Sequence, residues 1–323
     1  MRLLVTGAAG FIGSNFVRMI ARGDFGGISR VVVLDKLTYA GIKKNLDSAE
    51  NMFCYSFIEG DICAASLVSS LLDEVDAVIN FAAESHVDRS INGASDFVQT
   101  NIVGVQVLLD AIKSSGRKIR FVQISTDEVY GSIESGSWTE DWPLQPNSPY
   151  SASKASGELL ARSYYKTHGL DVLITRCSNN YGTHHFPEKL IPLFTTNLIE
   201  GKKIPVYGNG ENVRDWLHVD DHCRGIYSVL LNGRSGEVYN IGGGRELTNN
   251  EITDLILDAM GANKSSISYV EDRKGHDLRY SIDWTKINRE LGYEPQVKFE
   301  DGLRETIQWY RDNEAWWKPL KNR

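Results

Sequence analysis

Along the first half of the chain, short apolar runs alternate with longer stretches whose apolar positions recur at helical spacing. The runs at 2–6 (RLLVT), 30–35 (RVVVLD), 53–58, 77–81 (AVINF) and 119–125 (IRFVQIS) are rich in β-branched residues and bounded by glycine or polar residues, which predicts strands. Their nearly unbroken apolarity predicts burial on both faces. Helical spacing falls at 11–22, 64–73 and 95–115. Strand and helix in alternation predict a parallel sheet with helices on both sides. A helix is predicted from Tyr150, just after Pro149, to about residue 168, and a strand at 171–176.

After Asn180 the rhythm changes. Pro187, Pro192 and Pro205 punctuate longer loops, Gly208-Asn-Gly210 marks a turn, and shorter helices are predicted at 188–200, 219–232, 249–260 and 300–314. The pattern predicts one domain over 1–180 and a second, smaller lobe over 181–323, with about 215–245 returning to the first domain. In the 95–115 helix, Phe97, Val98, Ile102, Val105, Leu108, Leu109 and Ile112 cover more than one face. One face would cover the sheet, and the other would meet either a second subunit or the second lobe.

Composition narrows the class. The 323 residues suggest roughly two domains, and 41% hydrophobic with 24% charged residues excludes a disordered chain. A net charge of −7 gives no global field for nucleic acid or an anionic membrane. No apolar run approaches the roughly 18 residues of a membrane span, and the glycine-interrupted N-terminus reads as mature structure. Cys54, Cys63, Cys177 and Cys223 are scattered, which fits unpaired thiols in the cytoplasm.

Gly7-Ala-Ala-Gly10-Phe11-Ile12-Gly13 falls at the first strand-to-helix turn. Glycines there allow a tight turn and close approach of backbone to a pyrophosphate, while the helix N-terminus offers free N–H groups. The second strand ends in Asp35, whose carboxylate can take ribose hydroxyls and would repel a 2′-phosphate, favouring NAD over NADP. Lys36 next to it changes this little, and Asp61-Ile62 would lie near the adenine. Together these features predict an α/β chain of Rossmann type, a doubly wound parallel sheet with a smaller mixed α/β substrate-binding lobe.

Tyr150-Ser-Ala-Ser-Lys154 puts a phenol and an ammonium at i and i+4 on one helix face, an arrangement expected to lower the phenol pKa and make Tyr150 a base. Tyr39-Ala-Gly-Ile-Lys43 has the same spacing but falls on the adenosine side. The strand before Tyr150 ends in Ser125-Thr126-Asp127-Glu128, with adjacent carboxylates at the end of a parallel strand, where ligands bind. Two neighbouring acids repel, so one tends to hold its proton while the other ionises.

GAAGFIGS, LDKLTYAG, FAAESHVDRS, ISTDEVYG, YSASKASGE, RCSNNYG, HFPEKLIP, VYGNGENVRDWLHVDD and RKGHDLRY together resemble the extended short-chain dehydrogenase/reductase superfamily, and within it the dTDP-glucose 4,6-dehydratase family. The resemblance spans nearly the whole chain, and TDE ahead of YxxxK is its specific part. It implies a homodimer through the helices at 95–115 and 150–168, with a tightly bound, recycled NAD. It further implies that Tyr150, with Thr126 and Lys154, deprotonates the sugar 4-hydroxyl as NAD takes the C4 hydride. Glu128 then removes the C5 proton, Asp127 protonates the departing C6 hydroxyl, and hydride returns to C6.

By the same likeness Gly7, Gly10, Phe11, Ile12, Gly13, Asp35, Lys36 and Thr38 would line NAD, with Asp61, Ile62, Ala82, Ala83, Ser85, Thr100, Tyr150, Lys154 and Asn180. Ser85, Thr126, Asn179, Glu188, Lys189 and Leu190 would surround the sugar nucleotide, with Pro205, Tyr207, Arg214, Asn249, Arg273 and His276. Arg214 and Arg273 suit a diphosphate, since guanidinium forks match it. Thr183 and Leu278 stand where the family commonly has proline and arginine, leaving fine substrate preference open. The alternative is a dehydratase, epimerase or decarboxylase acting on a UDP- or GDP-linked sugar. Epimerase relatives typically lack the Asp-Glu pair.

His218 and His222, at i and i+4, lack the H-E-x-x-H glutamate, so no metal is expected and Asp220 or Asp221 is read as a helix N-cap. Trp309, Trp316 and Trp317 are expected to pack the tail helix rather than stack on sugar.

Overall fold

The computed structural model of the protein describes every residue except Asn51, Phe53 and Arg323. The six predicted strands form as β1 (Arg2–Thr6), β2 (Arg30–Asp35), β3 (Tyr55–Glu59), β4 (Ala77–Asn80), β5 (Arg120–Thr126) and β6 (Val172–Cys177). The predicted start of β3 at Phe53 lies outside the described residues. The second half adds β7 (Asn179–Tyr181), β8 (Ile204–Tyr207), β9 (Val213–His218), β10 (Val238–Ile241), β11 (Glu246–Thr248) and β12 (Ile267–Val270). Seven strands make one sheet in the order β10-β6-β5-β4-β1-β2-β3, and every pairing in it is parallel. The strand order reverses between β1 and β4, so a crevice opens at their C-terminal ends. There Thr6 Oγ1 donates to Asn80 Oδ1 at 2.6 Å and Asn80 Nδ2 donates to Gln123 Oε1 at 2.9 Å, aligning the tips of β1, β4 and β5.

The helices are α1 (Phe11–Arg22), α2 (Ala65–Leu72), α3 (Val87–Asn92), α4 (Ser95–Val98), α5 (Val105–Ser115), α6 (Pro149–His168), α7 (Leu190–Ile199), α8 (Val219–Asn232), α9 (Asn249–Met260), α10 (Thr285–Leu291), α11 (Phe299–Asp312) and α12 (Glu314–Trp317). Phe16 and Met19 of α1 share one core with Ile226, Val229 and Leu230 of α8. Val68 of α2, Leu108 and Ile112 of α5 and Ala161 of α6 build the core on the opposite face. Thus α8 and β10 pack with the large sheet, although chain between them and β6 forms other layers.

Those layers are a three-stranded sheet, β11-β9-β7, and a β8–β12 pair. Ile191, Phe194, Ile204, Trp216, Ile252, Ile256, Leu303 and Ile307 form their common core. The predicted 188–200, 249–260 and 300–314 helices correspond to α7, α9 and α11, while α3, α10 and α12 had no sequence expectation.

Two local expectations need correction. The predicted 95–115 helix is interrupted, because Gln99–Gly104 forms a π-helical turn between α4 and α5. α6 presses on this turn closely enough that a Cβ on Gly157 would stand 2.4 Å from Asn101 O. The Asn101 amide reaches Ser153 Oγ at 2.8 Å and Glu84 O at 3.0 Å, so the turn ties α6 to the strand-end crevice. The α8 N-cap is His218, whose Nδ1 accepts from Asp220 N–H, rather than Asp220 or Asp221. Asp221 instead receives the N–H groups of Gln296 and Val297, both at 2.9 Å.

Candidate active site

The first turn leaves β1 through Gly7, at φ 67, where a Cβ would stand 2.4 Å from Ala82 N. α1 then begins with no side-chain cap and no acid in its first turn, which leaves its leading N–H groups without side-chain acceptors. Beside them, a Cβ on Gly10 would meet only Gly7 O within 4 Å, leaving open space. Exposed donors above an open backbone suit a pyrophosphate. Asp35 closes the next corner, accepting from Ala9 N–H and Leu37 N–H at 2.8 Å each. Burial raises its pKa from the ordinary value. Lys36 Nζ pairs with Asp61 at 3.0 Å. These residues fit a dinucleotide.

A cleft continues from this turn to the tips of β4 and β5. It is lined by Gly7, Gly10, Phe11, Ile12, Gly13, Asp35, Lys36, Thr38, Asp61 and Ile62. Farther in come Ala82, Ala83, Ser85, Thr100, Tyr150, Lys154 and Asn180. Every residue expected around NAD therefore faces one cleft. Sequence reasoning missed part of its wall: Tyr39, His184, His185, Phe186, Cys177, Ser178 and Trp316. The His185 ring stacks on Phe11 with centroids 4.0 Å apart. Trp316 donates to Asn45 Oδ1 at 3.0 Å, so the buried tail tryptophans pack as expected and also back the cofactor cleft. Only Tyr39 carried a signal, as the tyrosine of the second Y-x-x-x-K.

At the deep end, β5 hands over to a 3-10 turn, Asp127–Tyr130, with Thr126 as N-cap. Thr126 Oγ1 accepts from Glu128 N–H at 3.3 Å and donates to Asp127 Oδ1 at 3.1 Å. Asp127 is 2% exposed, and its Oδ2 has no partner. α6 starts opposite, set by a Ser148/Ser151 capping box and Pro149 in its first turn. That start brings Tyr150 and Lys154, both buried, to the same floor.

Burial pushes the Asp127 carboxyl well up, and the Glu128 charge adds to the effect. Burial also raises Glu128, but Arg214, Lys189 and Arg273 pull it back. The pair is thus biased towards a protonated Asp127 and an ionised Glu128. Tyr150 departs from the expectation of a lowered pKa. Burial, then the charges of Glu128 and Cys177, hold its phenol well above the ordinary value, opposed by Thr126. Lys154 Nζ donates to Ile124 O at 2.6 Å, and burial lowers its pKa to about 8. A bound cation such as oxidised nicotinamide would pull the Tyr150 phenol back down.

A second cleft meets the first at Glu128, Asn179, Glu188 and Lys189. Its wall includes Ser85, Leu190, Pro205, Tyr207, Arg214, Asn249, Arg273 and His276. Thr126 faces the first cleft. Among the described residues Arg214 donates to the carbonyls of Val213, Asp277 and Leu278, lies over the Tyr280 ring at 4.3 Å, and forms no ion pair with a carboxylate. Arg273 Nε sits 2.6 Å from Asp88, and Lys189 Nζ donates to Ser85 O at 3.1 Å. Three cations around one cleft suit an anionic diphosphate. His86, Asp88, Asp277 and Tyr280 also line it; they fall within the FAAESHVDRS and RKGHDLRY segments, which do not by themselves single them out as site residues. Among the described residues, no group of three or more His, Cys, Asp or Glu side chains is placed to hold a metal.

Residues 4–306 match the family described as GDP-mannose 4,6 dehydratase. The dTDP-glucose 4,6-dehydratase of Streptomyces niveus is 58% identical over 324 residues, covering 100% of this chain and 96% of that protein. The crystal structure of DesIV, a dTDP-glucose 4,6-dehydratase from Streptomyces venezuelae with NAD and TYD bound, superposes with a TM-score of 0.98. It is 59% identical, over 99% of this chain and 100% of that one. The dTDP-glucose 4,6-dehydratase of Bacillus anthracis in complex with NAD gives a TM-score of 0.92 at 49% identity, over 99% of both chains. With that extent of identity and a shared sheet from end to end, this chain belongs to the dTDP-glucose 4,6-dehydratase family.

Proposed function

We propose that the protein is a hydro-lyase that converts dTDP-glucose to dTDP-4-keto-6-deoxyglucose with a tightly bound, recycled NAD. The observation that carries the reading is the Asp127–Glu128 pair, Asp127 buried and Glu128 half-buried, split in proton affinity on the same floor as Tyr150 and Lys154. NAD, when bound, accepts the hydride from sugar C4 and later returns it to C6. Tyr150 takes the 4-hydroxyl proton, with Thr126 and Lys154 beside it. The C4 ketone acidifies the C5 proton, and Glu128 removes it. Asp127 gives its proton to the C6 hydroxyl, which leaves as water. A proton is finally returned to C5, so the sugar loses one water in total.

In this reading the large sheet holds the cofactor and the smaller layers hold the sugar nucleotide. Arg214, Arg273 and Lys189 receive the diphosphate, and their charges oppose the rise that burial imposes on the Glu128 pKa. The acid pair favours a dehydratase over an epimerase. Val98 on α4 (46% exposed) and Leu159 on α6 (51% exposed) support a homodimer through these helices. Four unpaired cysteines, two of them buried, support a cytoplasmic setting.

The test is incubation of the purified protein with dTDP-, UDP- and GDP-glucose separately, followed by mass spectrometry for loss of one water. Dehydration of dTDP-glucose in preference to the others is expected. Preference for UDP-glucose would move the assignment to another sugar nucleotide, and no dehydration of any donor would refute it.

A further inference from the structure

Behind the floor of the site lies a buried polar cluster that touches neither cleft. Arg176 on β6 is 5% exposed and Glu158 on α6 is 1% exposed. Arg176 Nη2 donates to Glu158 Oε1 at 2.8 Å, and its Nε donates to both carboxylate oxygens at 3.2 Å. Arg176 Nη1 reaches Tyr130 Oη at 2.6 Å and Glu140 O at 3.2 Å. Tyr130 Oη in turn donates to Asn240 Oδ1 at 3.0 Å, and its ring stacks on Trp138 with centroids 5.2 Å apart. Asn240 is fixed on β10 by Trp138 O, Asp283 O and Glu140 Oε1.

Each member is one short step from a reacting group. Glu158 is four residues after Lys154 on the same helix, so it lies on the same face. Tyr130 ends the 3-10 turn that carries Asp127 and Glu128. Arg176 precedes Cys177, which lines the cofactor cleft. A buried ion pair gains little net stability over well-packed apolar residues, because desolvation offsets the attraction. This pair is directional, and it ties three elements together at one point.

We propose that Arg176, Glu158 and Tyr130 are positioning residues that hold the acid pair in register with the Tyr150–Lys154 helix. The inference rests on the dehydratase reading. Tyr130 acts on the elimination, through the turn bearing Asp127 and Glu128. Glu158 acts on the first oxidation, through the position and charge of Lys154. The Glu158 charge, one helical turn away, favours the protonated form of that ammonium against the effect of burial.

The test uses NAD-loaded enzyme and dTDP-glucose. Tyr130→Phe keeps the ring stack and removes the hydroxyl. Turnover is expected to fall about tenfold with KM within about twofold, because displaced groups cost rate more than binding. Reduced nicotinamide should then accumulate after substrate addition, in a variant that stays folded with a melting temperature lowered by a few degrees. Glu158→Gln should move the limb of the pH profile set by Lys154 to lower pH. The double variant Glu158→Leu with Arg176→Met guards against simple misfolding. Stability should return with the apolar pair, while turnover should not. Turnover of Tyr130→Phe within twofold of the parent, an unmoved pH limb in Glu158→Gln, or recovery of turnover in the folded double variant would each overturn the proposal. A parent enzyme that neither reduces NAD nor releases water would instead sink the dehydratase reading.

Discussion

The phenol oxygen of Tyr39 donates to Glu188 Oε1 at 3.0 Å, joining the loop after β2 to the segment before α7 across the cofactor cleft. Arg89 lies over the Tyr39 ring at 3.6 Å and reaches Glu188 at 3.4 Å, and Phe186 meets Tyr39 edge-on. In the proposed reaction this clasp would hold NAD between turnovers. Tyr39→Phe keeps the ring contacts and loses one hydrogen bond, about 1 kcal/mol. NAD should therefore leave about fivefold faster, measured as nicotinamide retained through gel filtration over time. Unchanged retention would show that the clasp plays no part.

In the proposed mechanism Glu128→Gln removes the base that takes the C5 proton and leaves Tyr150 and Lys154 in place. Dehydration should slow by about 10² to 10⁴, while substrate still reduces the bound cofactor. Stopped-flow absorbance of reduced nicotinamide separates the two stages. Normal dehydration by this variant would remove Glu128 from the mechanism.

Burial lowers the His184 and His222 rings to about 3 each. Both lie below the ordinary imidazole value, so the fold holds the neutral rings. Their contribution to stability is fully present above about pH 6.5 and is lost as pH falls towards 3, at up to about 1.4 kcal/mol per pH unit for each ring. His222 Nδ1 sits 2.9 Å from Asn180 Oδ1, which Gln can also approach. The variant His222→Gln should show a shallower fall in melting temperature between pH 6.5 and 4 than the parent. An equally steep fall would place the acid sensitivity elsewhere.

Leu159, 51% exposed on α6, lies on the face assigned to the second subunit. A charge there, as in Leu159→Glu, should shift the protein from dimer to monomer at micromolar concentration. Light scattering coupled to gel filtration reads this directly, and a parent that is already monomeric would dismiss the interface.

The parts legible in the sequence were those whose signal is local. The glycine turn, Asp35 at a strand end, and Thr126-Asp127-Glu128 ahead of Tyr150 and Lys154 each fit within one element or turn. Contacts made across the chain were not legible. Arg176 meets Glu158 and Tyr130, and Arg273 meets Asp88 185 residues away, because folding brings separate elements together. The π-helical turn at Gln99–Gly104 lies where α6 comes closest at Gly157, and apolar spacing alone reads through it. At Tyr150 spacing reports the nearby ammonium, while the burial that raises its phenol appears only in three dimensions.

The central claim is that the hydrogen leaving C4 is the one that arrives at C6. It is tested most directly with dTDP-glucose carrying deuterium at C4, in ordinary water, with the product read by nuclear magnetic resonance. Deuterium at C6 of the 4-keto-6-deoxy product, with C5 carrying a solvent proton, is the predicted result. Deuterium lost to solvent, or retained at C4, would contradict it.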